Sequence, residues 1–306
     1  VVITYCRAAY LRDCLAHLAG QSRPPEEVVV VDQSPDDSSR EVVADFPFAR
    51  WVDNRVNAGR MTTSRNVGLR HVSADVVSFI DDDSLPEPAW ALTLLDILDE
   101  NGDLGGVGGR VDNGNYEELT APGPIGVVTG RGKVVGNFGS LQSVLVSVDH
   151  VVGANMSFRR ELLVQLGGFR EDYPGTAMGE DTDIGLRVRA LGHDLGYASD
   201  AVVKHVSAPH VTGTRFDGRY SFYAAANYLL LVRRAFGARS GQFRGRLCAF
   251  TEEFRSPRSL KGRIFRSMCT AAGTIYGLWL CLRLDGLRRP DLVLDDQRAQ
   301  ALKLCS

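Results

Sequence analysis

Val76-Val77-Ser78-Phe79-Ile80-Asp81-Asp82-Asp83 sets an apolar strand directly against an acidic turn. The run is too short for a helix and rich in β-branched and aromatic residues, so it reads as a strand buried on both faces. The three carboxylates that follow repel one another unless a cation sits among them. Upstream, Val28-Val29-Val30-Val31 is a second such run, ending in Asp32-Gln33-Ser34. Val1-Val2-Ile3 is a third, ending in Thr4-Tyr5; it opens without Met, so a short preceding segment is expected. Between these runs, Ala8–Leu18 carries Leu11, Leu15 and Leu18 at helical spacing. Ser38–Phe46 and Arg60–His71 also read as helices, and Trp51-Val52 as a short strand. Strand and helix in alternation predict an α/β layer with right-handed crossovers. In such sheets ligands sit beyond the carboxyl ends of the strands, which here form one acidic, hydroxyl-bearing rim.

Composition narrows the alternatives. With 44% hydrophobic and 24% charged residues over 306 positions, the chain is of globular type and neither disordered nor collagenous. Its 35 basic and 37 acidic residues leave a net charge of −2, so no global positive field exists to hold nucleic acid. Six cysteines without a C-x-x-C pair suit neither a disulfide scaffold nor a zinc site, and fit a reducing cytoplasm.

From Gly102 to Gly139 the chain is glycine-rich, and apart from a strand at Val107–Val111 it reads as loop, in the manner of a flap over the site. Order returns at Val151–Phe158, in a helix at Arg160–Leu166, and in an amphipathic helix at Asp181–Leu191 stopped by Gly192. Val202–Val206 is one more strand, and beyond Arg219 the sequence is helical and basic. The apolar run Met268–Leu282 is shorter than the ~20 residues a membrane span needs, and reads as a buried or interfacial helix.

Three clusters carry chemistry. Asp81 and Asp83 are spaced as hard oxygen ligands for Mg²⁺ or Mn²⁺, or else form a solvated turn before the helix near Pro88. Glu180 and Asp181 open a helix; Asp181 or Thr182 can simply cap it while Asp183 pairs with Arg187 one turn on. His205 ends an apolar strand, where it is either structural or an extra metal ligand, and His210 follows in a loop. Gly105-Gly106-Val107-Gly108-Gly109 is no dinucleotide fingerprint, because Val111 falls at its last glycine position, and Gly132-Lys133-Val134 lacks the hydroxyl of a P-loop.

Taken in order, these pieces resemble family 2 glycosyltransferases of the GT-A fold. The resemblance runs through Val1–Arg7, Glu27–Ser34, Asn57-Ala58-Gly59, Ser64–Gly68, Phe79–Asp83, Gly153–Arg160, Gly167-Gly168-Phe169 and Gly179–Asp183, covering residues 1–206. It implies an α/β, Rossmann-like nucleotide-binding half at 1–100, a continuous acceptor-side half at 101–215 and a helical extension at 216–306. Asp81 and Asp83 then look like the D-x-D pair that holds Mg²⁺ or Mn²⁺ against a donor diphosphate, with His205 as a further ligand. Thr4, Tyr5, Arg7, Asp32, Gln33, Arg65, Asp81 and Asp82 fall at nucleotide-sugar positions. Gly153 and Asn155 fall on the acceptor side, and Asp181, beside Glu180, looks like the base of an inverting transfer.

Gln33 stands where the family often has a second Asp. Its carbonyl can accept the N3–H of uracil or thymine, which points to a UDP or dTDP donor rather than GDP. The acceptor is expected to be a glycan or a lipid-linked sugar in cell-envelope polysaccharide synthesis, on the cytoplasmic side of the membrane. Arg233, Arg234, Arg244, Arg246, Arg255, Arg258, Lys261, Arg263 and Arg266 can serve peripheral membrane contact, or close the acceptor side instead. The alternatives are a metal-dependent nucleotidyltransferase or phosphohydrolase on the same rim, and a non-catalytic nucleotide-sugar-binding module.

Overall fold

The computed structural model describes residues 1–208, 217–255 and 259–283. Its first half alternates as the apolar runs require: β1 (Val2–Thr4), α1 (Ala8–Ala19), β2 (Val28–Asp32), α2 (Ser38–Ala44), β3 (Ala49–Asp53), α3 (Met61–Arg70) and β4 (Val76–Asp81). These strands pair in parallel in the order β3-β2-β1-β4. On β2, Val29 and Val31 enter one core with Leu69 of α3, while Val28 and Val30 enter the other with Leu11 and Leu15 of α1. A run with no polar alternation is what burial on both faces demands.

β5 (Ser84–Pro86) and α4 (Trp90–Glu100) follow, then β6 (Leu104–Asp112), α5 (Tyr116–Leu119), β7 (Val127–Val128), β8 (Val134–Val135), β9 (Val146–Val148), β10 (Asn155–Arg159), α6 (Arg160–Gln165), α7 (Glu180–Ala190) and β11 (Asp194–His205). β10 runs antiparallel between β4 and β6, so one nine-stranded sheet passes through both expected halves. β11 lies parallel to β6, and β5 closes the edge.

The segment expected to be loop is partly core. β6 spans nine residues in the middle of the sheet, and its glycines serve close packing. A Cβ at Gly109 would stand 1.9 Å from the Ala201 carbonyl oxygen, and one at Gly106 2.5 Å from the Phe158 ring. Glycine's usual association with turns hides such a strand. β11 also begins earlier than expected; its register against β6 shifts between Ala198 and Val202, where Ser199 and Asp200 interrupt the apolar pattern.

The carboxy-terminal helices are α8 (Gly218–Phe236), α9 (Gly241–Leu247) and α10 (Leu260–Arg283), with a 3-10 segment at Ala249–Arg255. Part of the expected basic segment is turned inward, while Arg244 and Lys261 stay exposed. Arg233 and Arg234 are 3% and 2% exposed; Arg234 bonds Asp172 and lies over the Tyr173 ring, and Arg246 lies over that of Tyr228. Long guanidinium stems fill space under apolar cover here. Arg258, His210 and the side chain of Arg255 lie outside the described residues. Among the described residues no helix is long and apolar enough to cross a membrane.

Candidate active site

The ends of β1, β4 and β11 bring the acidic turn together. Asp82 points inward: Thr4 Oγ1 donates to it at 2.8 Å and Arg7 Nη1 at 3.1 Å. Burial pushes its carboxyl up to about 6, against the pull of Arg7 and Thr4. Asp82 and Thr4 therefore tie two strand ends together. Tyr5 and Arg7 are half-buried just beyond β1.

Asp81 and Asp83 turn the other way and meet His205. One donor atom from each lies within 4.8 Å of the others. His205 Nε2 is 3.3 Å from Asp83 Oδ1, and its Nδ1 lies 3.2 Å from Asn113 Oδ1. Asp83 Oδ2 accepts the Ala208 N–H at 2.8 Å, leaving Oδ1 buried without a hydrogen bond of good geometry. Burial pushes Asp81 up, while at Asp83 the His205 ring, the Ala208 N–H and Arg7 outweigh burial and hold the carboxyl low. Two carboxylates, one with an under-satisfied buried oxygen, and an imidazole are a donor set that fits Mg²⁺ or Mn²⁺. Asn113, which orients the imidazole, carries no signal in the sequence beyond the turn Asp112-Asn113-Gly114.

Arg65, 2% exposed on α3, joins this turn to the second acidic cluster. Its Nη2 is 3.7 Å from Asp81 Oδ1 and donates to the Gly153 carbonyl at 3.4 Å, while Nη1 donates to Glu180 Oε1. Burial and the neighbouring Asp181 push Glu180 up, and Arg65 draws it back. Glu180 thus holds the arginine that holds Asp81.

Asp181 stands at the start of α7, entered through Gly179 at φ +92. Its Oδ2 accepts the Gly153 N–H at 3.1 Å and its Oδ1 the Thr182 N–H at 2.7 Å. The helix N-terminus favours this negative charge. Asp183, by contrast, is buried among Arg187, Arg170 and the Tyr173 hydroxyl, the structural pairing expected of it.

Gly153 sits between the clusters because nothing larger fits. A Cβ there would lie 2.7 Å from Arg65 Nη2 and 3.3 Å from Glu180 Oε1. The guanidinium cannot swing aside without stranding the buried Glu180 carboxylate and leaving Asp81. Gly153→Ala is expected to lower unfolding stability by about 1–3 kcal/mol, as overpacking does. Gly102→Ala, with nothing within 4 Å of the added methyl, should stay within about 0.5 kcal/mol. Urea titrations of the two variants check this, and equal stability would show that Arg65 is free to move.

Three further expected site residues are engaged inside the chain. Asp32 is fully buried, with Oδ1 accepting the Ser34 N–H at 2.8 Å and Oδ2 the Trp51 indole N–H at 3.0 Å. Gln33 is spent on its own loop: its amide donates to the carbonyls of Asn57 and Arg60 and to Ser64 Oγ, and its carbonyl accepts the Gly59 N–H. Both side chains are engaged inside the chain, so their geometry adds no support to the UDP or dTDP preference drawn from Gln33. Asn155, 0% exposed, donates to the carbonyls of Arg110 and Ala201 and accepts from Trp90 Nε1. It locks β10 to its neighbours through these bonds.

Residues 1–167 match the family model described as Glycosyl transferase family 2. Among curated proteins, a chondroitin synthase of Escherichia coli is 24% identical over 237 residues, covering 68% of this chain and 34% of that one. A glucosyl-dolichyl phosphate glucuronosyltransferase of Haloferax volcanii is 30% identical over 178 residues, covering 55% of this chain and 54% of the relative. The chain thus spans about a third and about half the length of these relatives. Among solved structures, the mannosyltransferase PcManGT from Pyrobaculum calidifontis, in complex with GDP-Man and Mn²⁺, matches with a TM-score of 0.53 at 18% identity. That match covers 98% of this chain and 72% of PcManGT. The mixed sheet followed by helices is the GT-A fold.

Proposed function

The chain belongs to glycosyl transferase family 2, and we propose that it moves a sugar from a nucleotide-diphosphate sugar to an acceptor hydroxyl with inversion at the anomeric carbon. The observation that carries this is the joining of two acidic clusters with different tasks through one buried arginine, Arg65. Asp81, Asp83 and His205 would hold Mg²⁺ or Mn²⁺, which when bound offsets the charge that builds on a departing diphosphate. Arg65 keeps Asp81 turned toward that site, and Asn113 does the same for the His205 ring. Asp181 takes the acceptor proton through a carboxylate oxygen. As the acceptor oxygen bonds the anomeric carbon, the bond from that carbon to the diphosphate oxygen breaks, and its electron pair leaves with the diphosphate.

The half at 1–100 holds the nucleotide and that at 101–215 the acceptor, on the one sheet they share. The likeness to chondroitin and glucuronosyl enzymes supports a glycan or lipid-linked acceptor in polysaccharide synthesis. A panel of UDP-, dTDP- and GDP-sugars with Mn²⁺ tests the proposal, read as nucleotide release and as glycoside formed with and without such acceptors. Acceptor-dependent release is expected from one donor class. Release of free sugar or phosphate with no glycoside formed under any acceptor would overturn it.

A further inference from the structure

α10 is amphipathic the wrong way round for a helix of a closed domain. The face it turns to α8 is small and polar: Ser267, Thr270, Gly273, Thr274, Gly277 and Cys281 are its buried residues. A Cβ at Gly273 would stand 2.1 Å from the Phe222 carbonyl oxygen, and one at Gly277 2.8 Å from Ala226 Cα, so the two backbones touch through these glycines. The outward face carries the large apolar side chains. Ile264, Met268, Ile275, Trp279 and Leu282 are 44 to 72% exposed and share one helix face, at steps of four, seven, four and three residues, and Phe265 stands beside them at 57%. Exposed apolar residues scattered singly are ordinary, but a stripe of this length marks a surface that something covers.

Charge selects the occupant. Lys261 and Arg283 stand exposed at the two ends of the stripe, Arg283 lying over the Trp279 ring at 4.1 Å, and α10 contains no Asp or Glu. Against a second copy, an antiparallel pairing would set Lys261 opposite Arg283 and a parallel one would set each cation opposite itself. Either brings like charges together. An anionic bilayer instead meets both cations with phosphate and takes the stripe among its acyl chains. The helix does not have the length and apolarity to cross, so it would lie in the plane of the surface.

We propose that the outward face of α10 docks on an anionic lipid surface. α8 packs between α10 and α7, whose first turn holds Asp181. The bilayer then lies one helix away from the proposed acceptor side, where a lipid-linked acceptor would arrive. The lipid contact itself does not depend on the proposed transfer and is measured without sugar.

The test is flotation of the whole chain with vesicles of phosphatidylglycerol and phosphatidylcholine, and of phosphatidylcholine alone, at low and high salt. Binding to the anionic vesicles is expected, with weaker binding to phosphatidylcholine alone and at high salt. Ile275→Glu, and Met268→Glu separately, should each cut anionic-vesicle partitioning about tenfold or more. Lys261→Glu with Arg283→Glu should weaken it chiefly at low salt. Melting temperatures confirm that each variant is folded, and the milder Ile275→Ser replaces any that is not. No flotation of the wild-type chain at low salt would overturn the proposal, as would glutamate variants that float like the wild type. A concentration-dependent dimer in sedimentation velocity, abolished by the same substitutions in a chain that does not float, would assign the face to a second copy instead.

Discussion

Asp181→Asn is expected to lower sugar transfer by ~10²–10⁴-fold, the range lost with a general base, while nucleotide affinity stays close to that of the wild type. The geometry separates this outcome from a structural one. Asp181 accepts two backbone N–H groups, from Gly153 and Thr182, one on each oxygen. An asparagine has one accepting oxygen and must turn its NH₂ toward the other N–H, losing one hydrogen bond. That loss costs about 1–3 kcal/mol of local stability and registers in a melting curve. It does not remove the proposed donor site of Asp81, Asp83 and His205, which Arg65 and Gly153 link to Asp181. A fall in kcat with unchanged donor affinity therefore assigns Asp181 the acceptor proton. Activity within a few-fold of the wild type would leave it as the cap of α7, the plainer role its position also allows.

The parallel half was legible because burial on both faces leaves an unmistakable trace. Val28–Val31 has no polar alternation, and each valine does enter one core or the other. The charge clusters were legible too, since carboxylates massed at a strand end or a helix start oppose one another without a reason for being there. The division of labour inside each cluster was not. Asp82 is flanked by Asp81 and Asp83 and is chemically identical to them, yet only the fold decides that it faces Thr4 and Arg7. Gln33 and Asn155 carry a related ambiguity: an amide able to read a ligand is equally able to pin a loop or bind a strand edge. In both, every polar atom is spent within the chain. The glycines of β6 and the small residues of α10 carry the converse lesson. Their meaning lies in what approaches them, and composition does not reveal that.

Removing the metal is expected to have the second large effect. EDTA should abolish the diphosphate-dependent part of nucleotide binding, and Asp83→Asn should reproduce this without chelator and with the fold intact. An asparagine at 83 can keep the Ala208 N–H bond through its oxygen and present its NH₂ to His205 Nε2, now 3.3 Å from Asp83 Oδ1. The fold is thereby satisfied, but two of the three ligand atoms are lost, one to the missing charge and one to the occupied imidazole lone pair. The loss of Mn²⁺-dependent affinity should exceed the ~10–100-fold that follows from removing an outer-shell partner alone. Asn113→Ala supplies that smaller step, because it removes one partner of His205 Nδ1 and leaves Ser207 Oγ at 3.3 Å, without touching a ligand atom. Calorimetry with UDP and with GDP, in Mn²⁺ and in EDTA, ranks the three proteins as wild type, then Asn113→Ala, then Asp83→Asn. Equal affinity of the wild type in Mn²⁺ and EDTA would reduce the trio to an internal ion pair, since His205 held by Asp83 and Asn113 would then need no cation to account for it.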